Sequence, residues 1–190
     1  MRREIVFSGY GGQGLVLAGI ILAEAAVVYE GKNATHNQSY GPEARGGASK
    51  SEVIISDQEI NYPEIEHPDI FLAMTQDAAS KVGKLVKESG IAIIDPEFVR
   101  ELAPLAHVKT LYAIPLTQIA REETGRTITA NIVALGVLTV LTGIVDREAI
   151  EEAVRGRVPP QMREMNEKAL RAGFTAAKRI LDEVKGDAVS

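Results

Sequence analysis

The chain has 190 residues, 45% hydrophobic and 25% charged, with a formal net charge of −5 at pH 7 and no cysteine. This length is typical of one domain that folds without disulfide or metal support, and we expect a single domain over residues 1–190. The acidic balance argues against a nucleic acid partner, which requires a basic surface. The lack of cysteine excludes disulfides and cysteine-ligated iron–sulfur clusters, and disfavours structural zinc.

The chain opens with a predicted strand, a glycine turn and a helix. Glu4-Ile5-Val6-Phe7-Ser8 runs into Gly9-Tyr10-Gly11-Gly12-Gln13-Gly14, and the next stretch carries no charge until Glu24. Gly9, Gly11 and Gly14 match the glycine spacing of a dinucleotide fingerprint. Such a turn directs backbone N–H groups and the positive end of a helix dipole to one point, which favours a phosphate. An ordinary tight turn without a ligand is the alternative.

Further elements follow from apolar periodicity and from the glycines and prolines that interrupt it. Strands are predicted at residues 33–37, 48–56, 59–62, 69–74, 91–95 and 107–114. Helices are predicted at residues 15–30, 76–88, 131–141, 146–154 and 162–184, with Gly173 as a kink in the last. Residues 38–47 are expected to be irregular because proline and glycine interrupt them. The apolar helix 131–141 must be buried, in this domain or against another chain.

This alternation predicts an α/β fold: a three-layer, Rossmann-like, mainly parallel sheet with helices on both faces. Strands 48–56 and 59–62 are expected to form a hairpin at one sheet edge. The C-terminal part, from about residue 128 to residue 185, is expected to be helical. Its amphipathic stripe favours a helix that closes the core over one that docks on a partner. No secretion signal or membrane span is apparent, so we expect a cytoplasmic protein.

The second predicted strand tests whether the glycine turn binds NAD. An acidic residue is expected at the end of that strand to bind the ribose hydroxyls, but it ends in Thr35-His36-Asn37. The NAD interpretation therefore fails, whereas phosphate binding survives because it depends on the backbone and the helix dipole. Residues 38–47 follow at the same sheet edge, so Ser39 and Arg45 are candidate ligand contacts, with a subunit-contact loop as the alternative.

Candidate catalytic and metal residues are not apparent. His36, His67 and His107 lack metal-ligand spacing, and no nucleophile–histidine–carboxylate order stands out. We therefore predict a binding function without catalytic or metal-ligating residues of its own.

Three segments together carry a family resemblance. They are Gly9-Tyr10-Gly11-Gly12-Gln13-Gly14, Ser39-Tyr40-Gly41-Pro42-Glu43-Ala44-Arg45-Gly46-Gly47 and Ser51-Glu52-Val53. The combination resembles the gamma subunit of 2-oxoacid:ferredoxin oxidoreductases, and the second segment is most similar to the 2-oxoglutarate branch. Tyr62-Pro63, Pro68-Asp69 and Asn131-Ile132-Val133-Ala134-Leu135-Gly136 extend the resemblance over most of the chain.

The resemblance implies a subunit of a complex that converts a 2-oxoacid to acyl-coenzyme A while reducing ferredoxin. Thiamine diphosphate and iron–sulfur clusters are then expected in alpha, beta and ferredoxin-like delta partners. For this chain we expect coenzyme A phosphates at Gly9, Gly11, Gly12, Gln13 and Gly14, assisted by Ser39 and Arg45. The alternatives are a scaffold subunit of that complex or of a pyruvate, 2-oxoisovalerate or indolepyruvate relative, and a free-standing nucleotide-binding domain.

Overall fold

Six strands form one mixed sheet in the protein. A computed structural model describes residues 1–42 and 47–187, with side chains up to residue 183. The strands are β1 (Arg2–Tyr10), β2 (Asn33–Tyr40), β3 (Ala48–Ser56), β4 (Ile70–Ala73), β5 (Ile91–Ile94) and β6 (Thr110–Ala113). Their spatial order is β2-β3-β1-β4-β5-β6. β1, β4, β5 and β6 pair in parallel, so the mainly parallel sheet is confirmed.

β3 is antiparallel to both of its neighbours, which corrects the predicted hairpin. It pairs with β1 on one side and β2 on the other, and Val53 lies opposite both Ile5 and His36. Residues 59–62, which the structure describes, form no strand. The physical reason is that β1 and β2 already occupy both edges of β3. β2 also continues to Tyr40, so the first three residues of the predicted irregular segment 38–47 lie in a strand.

In the part of the chain that the structure describes, six α-helices surround the sheet: α1 (Leu15–Glu24), α2 (Gln76–Val82), α3 (Leu116–Thr124), α4 (Ala130–Thr142), α5 (Arg147–Arg157) and α6 (Arg163–Asp187). A π-helical turn, Ala25–Tyr29, extends α1. Helix α3 was not predicted, whereas the predicted helix 76–88 is shorter because Gly83 begins a 3₁₀ turn. Within the described ranges, no helix combines the length and apolar character that crossing a lipid bilayer needs.

The two faces of the sheet are covered unequally, which confirms the three layers. Ile5, Phe7 and Leu72 point to a large core shared with α1, α3, α4, α5 and α6. Val6 and Phe71 point to a smaller core on the opposite face, which includes α2. Successive strand residues alternate between the faces, so β1, β4 and β5 contribute to both cores.

α4 and α6 cross in close contact within the large core. A Cβ built at Gly136 would lie 2.3 Å from the Leu170 carbonyl oxygen, and one at Gly173 would lie 2.2 Å from the Val133 carbonyl oxygen. Gly173, where we predicted a kink, lies inside the continuous helix α6 and permits this approach. The apolar helix α4 is therefore buried within the domain itself, and the stripe on α6 closes the core.

Candidate functional site

The candidate site lies where β1 and β4 end side by side. The helix after β1 packs on the large-core face, whereas the helix after β4 packs on the opposite face. A parallel sheet opens a crevice at such a switch point, beyond the carboxyl ends of its strands. The glycine loop, defined as residues 9–14, occupies this place because it joins β1 to α1.

The glycine loop leaves backbone donors open. Gly12 and Gly14 have φ angles of +94° and +74°, which glycine adopts without strain. Among the described residues, neither the Gly12 nor the Gly14 amide donates to a protein acceptor. Gly14 caps α1 without a side-chain hydrogen bond from the described residues. The first-turn amides of a helix lack intrahelical acceptors, so the start of α1 adds further open donors beside the glycine loop.

The Gln13 side chain is engaged by the protein. Its Oε1 accepts a 2.7 Å hydrogen bond from the Tyr10 amide, and its Nε2 donates at 3.2 Å to the Met74 carbonyl oxygen. A Cβ at Gly9 would lie 2.2 Å from the same Oε1, which explains the glycine there. Gln13 therefore ties the glycine loop to the end of β4, and its backbone is what remains to meet a ligand.

Asn131, in the first turn of α4, holds the other side of the glycine loop. Its Nδ2 donates a 2.9 Å hydrogen bond to the Gly14 carbonyl oxygen, and its side chain is buried. Sequence reasoning missed this role. The available signal was a buried-looking asparagine at the start of an almost wholly apolar helix.

Beside the glycine loop is a cleft of about 270 Å³. Its lining includes Gly12, Met74, Phe98, Thr117, Arg121 and Ile128. Arg121 forms a 3.1 Å ion pair with Glu97 at the rim. The cleft therefore combines open backbone donors with an apolar wall and one rim cation, which suits an anion attached to a larger organic group.

Asp95 supports the floor of this cleft. The residue is fully buried, and its two carboxylate oxygens accept from the Glu97 amide at 3.0 Å and the Thr117 amide at 2.8 Å. These bonds connect the end of β5 to the start of α3. The sequence analysis did not select Asp95, although an acidic residue directly after an apolar strand was a visible signal.

The predicted site residues are only partly brought together. Gly9, Gly11, Gly12, Gln13 and Gly14 share the glycine loop, and the Gly11 amide donates at 2.8 Å to the Gly47 carbonyl oxygen. Ser39 lies near the end of β2 and lines a separate groove of about 360 Å³ together with Lys50 and Lys81. Arg45 lies outside the described residues.

The three histidines lie apart, each bound to its own neighbour. His36 Nε2 lies 2.9 Å from Ser51 Oγ, and burial lowers the pKa of this imidazole. His67 and His107 contact the carbonyl oxygens of Leu85 and Val86 at 3.1 and 2.8 Å. Among the described side chains, no three His, Asp or Glu residues lie together as a metal site would require.

Comparison with known proteins identifies the family. The family model described as pyruvate ferredoxin/flavodoxin oxidoreductase matches residues 4–176. A 2-oxoglutarate synthase subunit KorC from Methanocaldococcus jannaschii is 48% identical, over 95% of this chain and 96% of its own length.

Solved structures agree with this match. The gamma subunit of a keto/oxoacid ferredoxin oxidoreductase from Geobacter sulfurreducens superposes with a TM-score of 0.82 at 49% identity, covering 93% of this chain and 99% of that one. The 2-oxoglutarate:ferredoxin oxidoreductase from Magnetococcus marinus, solved with 2-oxoglutarate, coenzyme A and succinyl-CoA, shares the fold with a TM-score of 0.83 at 22% identity. The match covers 94% of this chain and 31% of the Magnetococcus chain.

The resemblance drawn from the glycine loop and residues 39–47 is thus confirmed. Near-complete coverage of both the KorC relative and the Geobacter gamma subunit shows that the match extends over the whole domain rather than one motif. The chain belongs to the pyruvate ferredoxin/flavodoxin oxidoreductase family, among its gamma-type subunits.

Proposed function

We propose that this chain is the gamma subunit of a 2-oxoglutarate:ferredoxin oxidoreductase and that its glycine loop binds phosphate groups of coenzyme A. The 2-oxoglutarate assignment is supported by the KorC relatives, of which one is 48% identical. The observation that carries the binding role is the open N-terminus of α1, where the Gly12 and Gly14 amides have no acceptor among the described residues and Gly12 lines the cleft.

The chemistry of the complex belongs to other subunits in this proposal. Oxidative decarboxylation joins the acyl group of a 2-oxoacid to coenzyme A, releases carbon dioxide and passes electrons to ferredoxin. This sequence has no cysteine to ligate an iron–sulfur cluster. Its residues therefore do not fit such a cluster, and we assign the clusters and thiamine diphosphate to alpha, beta and ferredoxin-like delta partners in the cytoplasm.

Electrostatics near the loop supports a phosphate ligand. The first turn of α1 contains no acidic residue, so nothing there opposes an anion at the positive end of the helix dipole. Arg121 at the rim is already paired with Glu97, which leaves most of the recognition to the backbone. The Magnetococcus structure, which was solved with coenzyme A, shares this fold over 31% of its chain. Coenzyme A anchored here by its phosphates would extend its thiol towards a partner subunit.

Replacing Gly12 by alanine in the assembled complex tests this proposal. A Cβ at Gly12 meets no described atom within 4 Å, so it projects into open space where a phosphate would approach. We expect the KM for coenzyme A to rise roughly tenfold or more, because each hydrogen bond to a charged group contributes about 1.5–3 kcal/mol. The KM for 2-oxoglutarate and the decarboxylation half-reaction without coenzyme A should not change.

Gly31→Ala is the matched control. Gly31 follows α1 at its far end, has a φ of +66°, and likewise meets no described atom within 4 Å. Both variants impose similar backbone strain, but only Gly12 lines the cleft. Equal coenzyme A constants in the two variant complexes would refute phosphate binding by the glycine loop.

A purely structural scaffold is the second candidate function. It is favoured by an apolar groove of about 210 Å³, whose lining includes Leu17, Ile128, Met162 and Met165. Such a surface suits burial against a partner subunit. A scaffold role predicts that Gly12→Ala impairs assembly of the complex before it changes affinity for coenzyme A.

Substrate assays of the intact complex separate 2-oxoglutarate from pyruvate, 2-oxoisovalerate and indolepyruvate.

A further inference from the structure

We propose that Asn131 is a positioning residue for coenzyme A: it holds the glycine loop in its anion-binding shape without touching the ligand. This inference rests on the proposed function. It assigns a role to a residue in the first turn of α4, far along the chain from the loop that it controls.

Both ends of the Asn131 amide are used inside the protein. Nδ2 donates to the Gly14 carbonyl oxygen at 2.9 Å, and Oδ1 accepts from the Ile132 amide at 2.9 Å. The side chain is 3% exposed. Its position is also sterically determined, because a Cβ at Gly14 would lie 2.5 Å from Nδ2. The asparagine therefore has one orientation and one partner in the loop.

The Gly14 peptide is the point at which this contact matters. The same carbonyl oxygen accepts the Ala18 amide at 3.0 Å, which closes the first turn of α1. Gly14 has a φ of +74°, and its conformation sets the direction of its own amide and of the amides that follow. By anchoring this peptide to α4, Asn131 fixes the conformation of the loop whose Gly12 lines the cleft.

Gln13 anchors the loop from the opposite side. Its amide connects the Tyr10 backbone to the Met74 carbonyl oxygen at the end of β4. Two side-chain amides thus hold the loop against α4 and β4, and neither is directed at the ligand. Recognition then depends on preorganised backbone donors, which lose nothing to reorganisation when an anion binds.

Asn131→Ala in the assembled complex tests the proposal, with Asn166→Ala as the matched control. Asn166 is 8% exposed and donates at 2.8 Å to the Met162 carbonyl oxygen within its own helical segment. Loss of active complex lowers kcat without changing the KM for coenzyme A, whereas a misdirected loop raises that KM. We expect Asn131→Ala to raise the KM for coenzyme A about tenfold, since small misplacements are costly, and Asn166→Ala to leave it unchanged.

Asn131→Asp provides a second variant of nearly the same shape. Its carboxylate cannot donate to the Gly14 carbonyl oxygen, so we expect an increase in KM at least as large as for alanine. Equilibrium binding of coenzyme A to each complex gives an independent readout. An unchanged coenzyme A affinity in both Asn131 variants, beside a raised KM in Gly12→Ala, would overturn the positioning role and leave phosphate binding standing. Unchanged values in all three variants would overturn both.

Discussion

The glycine loop and the α4–α6 crossing both depend on glycine, but for opposite reasons. At the crossing, Gly136 and Gly173 let two helix backbones touch, since an added Cβ would lie 2.3 or 2.2 Å from a carbonyl oxygen. At the loop, a Cβ on Gly12 would meet no described atom within 4 Å. The crossing uses glycine to bring two backbones into contact, whereas Gly12 leaves backbone of the loop uncovered. Open space alone does not make a binding glycine, since Gly31 is equally uncovered, and Gly12 differs because it lines the cleft.

The largest effect is expected for Gly173→Ala. The colliding atom is the Val133 carbonyl oxygen, which cannot move aside without separating α4 from α6. We expect the free energy of unfolding to fall by about 3 kcal/mol, the upper part of the usual overpacking range. That corresponds to a Tm lower by roughly 6–12 °C for a domain of this size. Urea and thermal unfolding of the subunit measure both quantities.

Gly156→Ala is the control for this prediction. Gly156 lies in α5, and the closest described atom to its added Cβ is the Tyr29 hydroxyl at 3.7 Å. Alanine is favoured over glycine in a helix by about 0.5–1 kcal/mol, so this variant should be more stable than the original. A Gly173→Ala subunit of unchanged stability would remove the contrast between the two regions.

An intermediate effect is expected for Gly14→Ala, which combines the two kinds of glycine. Its left-handed φ of +74° costs alanine about 1–2 kcal/mol, and its Cβ would also displace Asn131. We expect a stability loss of about 2 kcal/mol, smaller than the loss for Gly173→Ala. A raised KM for coenzyme A should accompany it. A loss of stability with normal coenzyme A kinetics would class Gly14 with the structural glycines.

The smallest effect concerns His36, whose side chain lies beside Gly19. An added Cβ at Gly19 would meet Ser51 Oγ at 2.0 Å and His36 at 3.1 Å. Burial lowers the pKa of His36 below 6.5, so the unfolded chain binds this proton more readily than the folded one. The His36 contribution is therefore complete above pH 6.5 and declines as pH falls towards the folded-state pKa.

His36→Gln should abolish that decline while leaving the glycine loop unchanged. Urea unfolding of both proteins at pH 7.5 and at successively lower pH measures the difference in slope. Parallel stability profiles for the two proteins would show that His36 does not contribute to the pH dependence. Coenzyme A kinetics at pH 7.5 should be the same in both complexes.

Local pattern was sufficient to predict the elements nearest the site. The strand–glycine–helix order of β1 and α1, the short apolar strands β4 and β5, and the buried helix α4 all follow from periodicity and glycine placement. The glycine loop was predicted for the same reason. Its backbone chemistry is encoded in six consecutive residues.

The remaining features depend on contacts that are distant in sequence. β3 pairs with β2 and β1 rather than with residues 59–62. The alternating pattern of one strand does not specify which strand pairs with it. Gln13 was expected in the phosphate-binding loop, and the structure adds that its side-chain amide binds the Tyr10 and Met74 backbone. The roles of Asn131 and Asp95 arise from tertiary packing, so spacing alone predicts neither.

The hydrogen bond between Asn131 and Gly14 joins residues 117 positions apart. A chain synthesised from its N-terminus produces the glycine loop early. The Asn131 hydrogen bond forms only later, because α4 must be synthesised and packed before it can form. A truncated or half-folded subunit therefore has the loop sequence without its anchored shape. In the function proposed for the loop, affinity for coenzyme A therefore depends on completed folding of the chain.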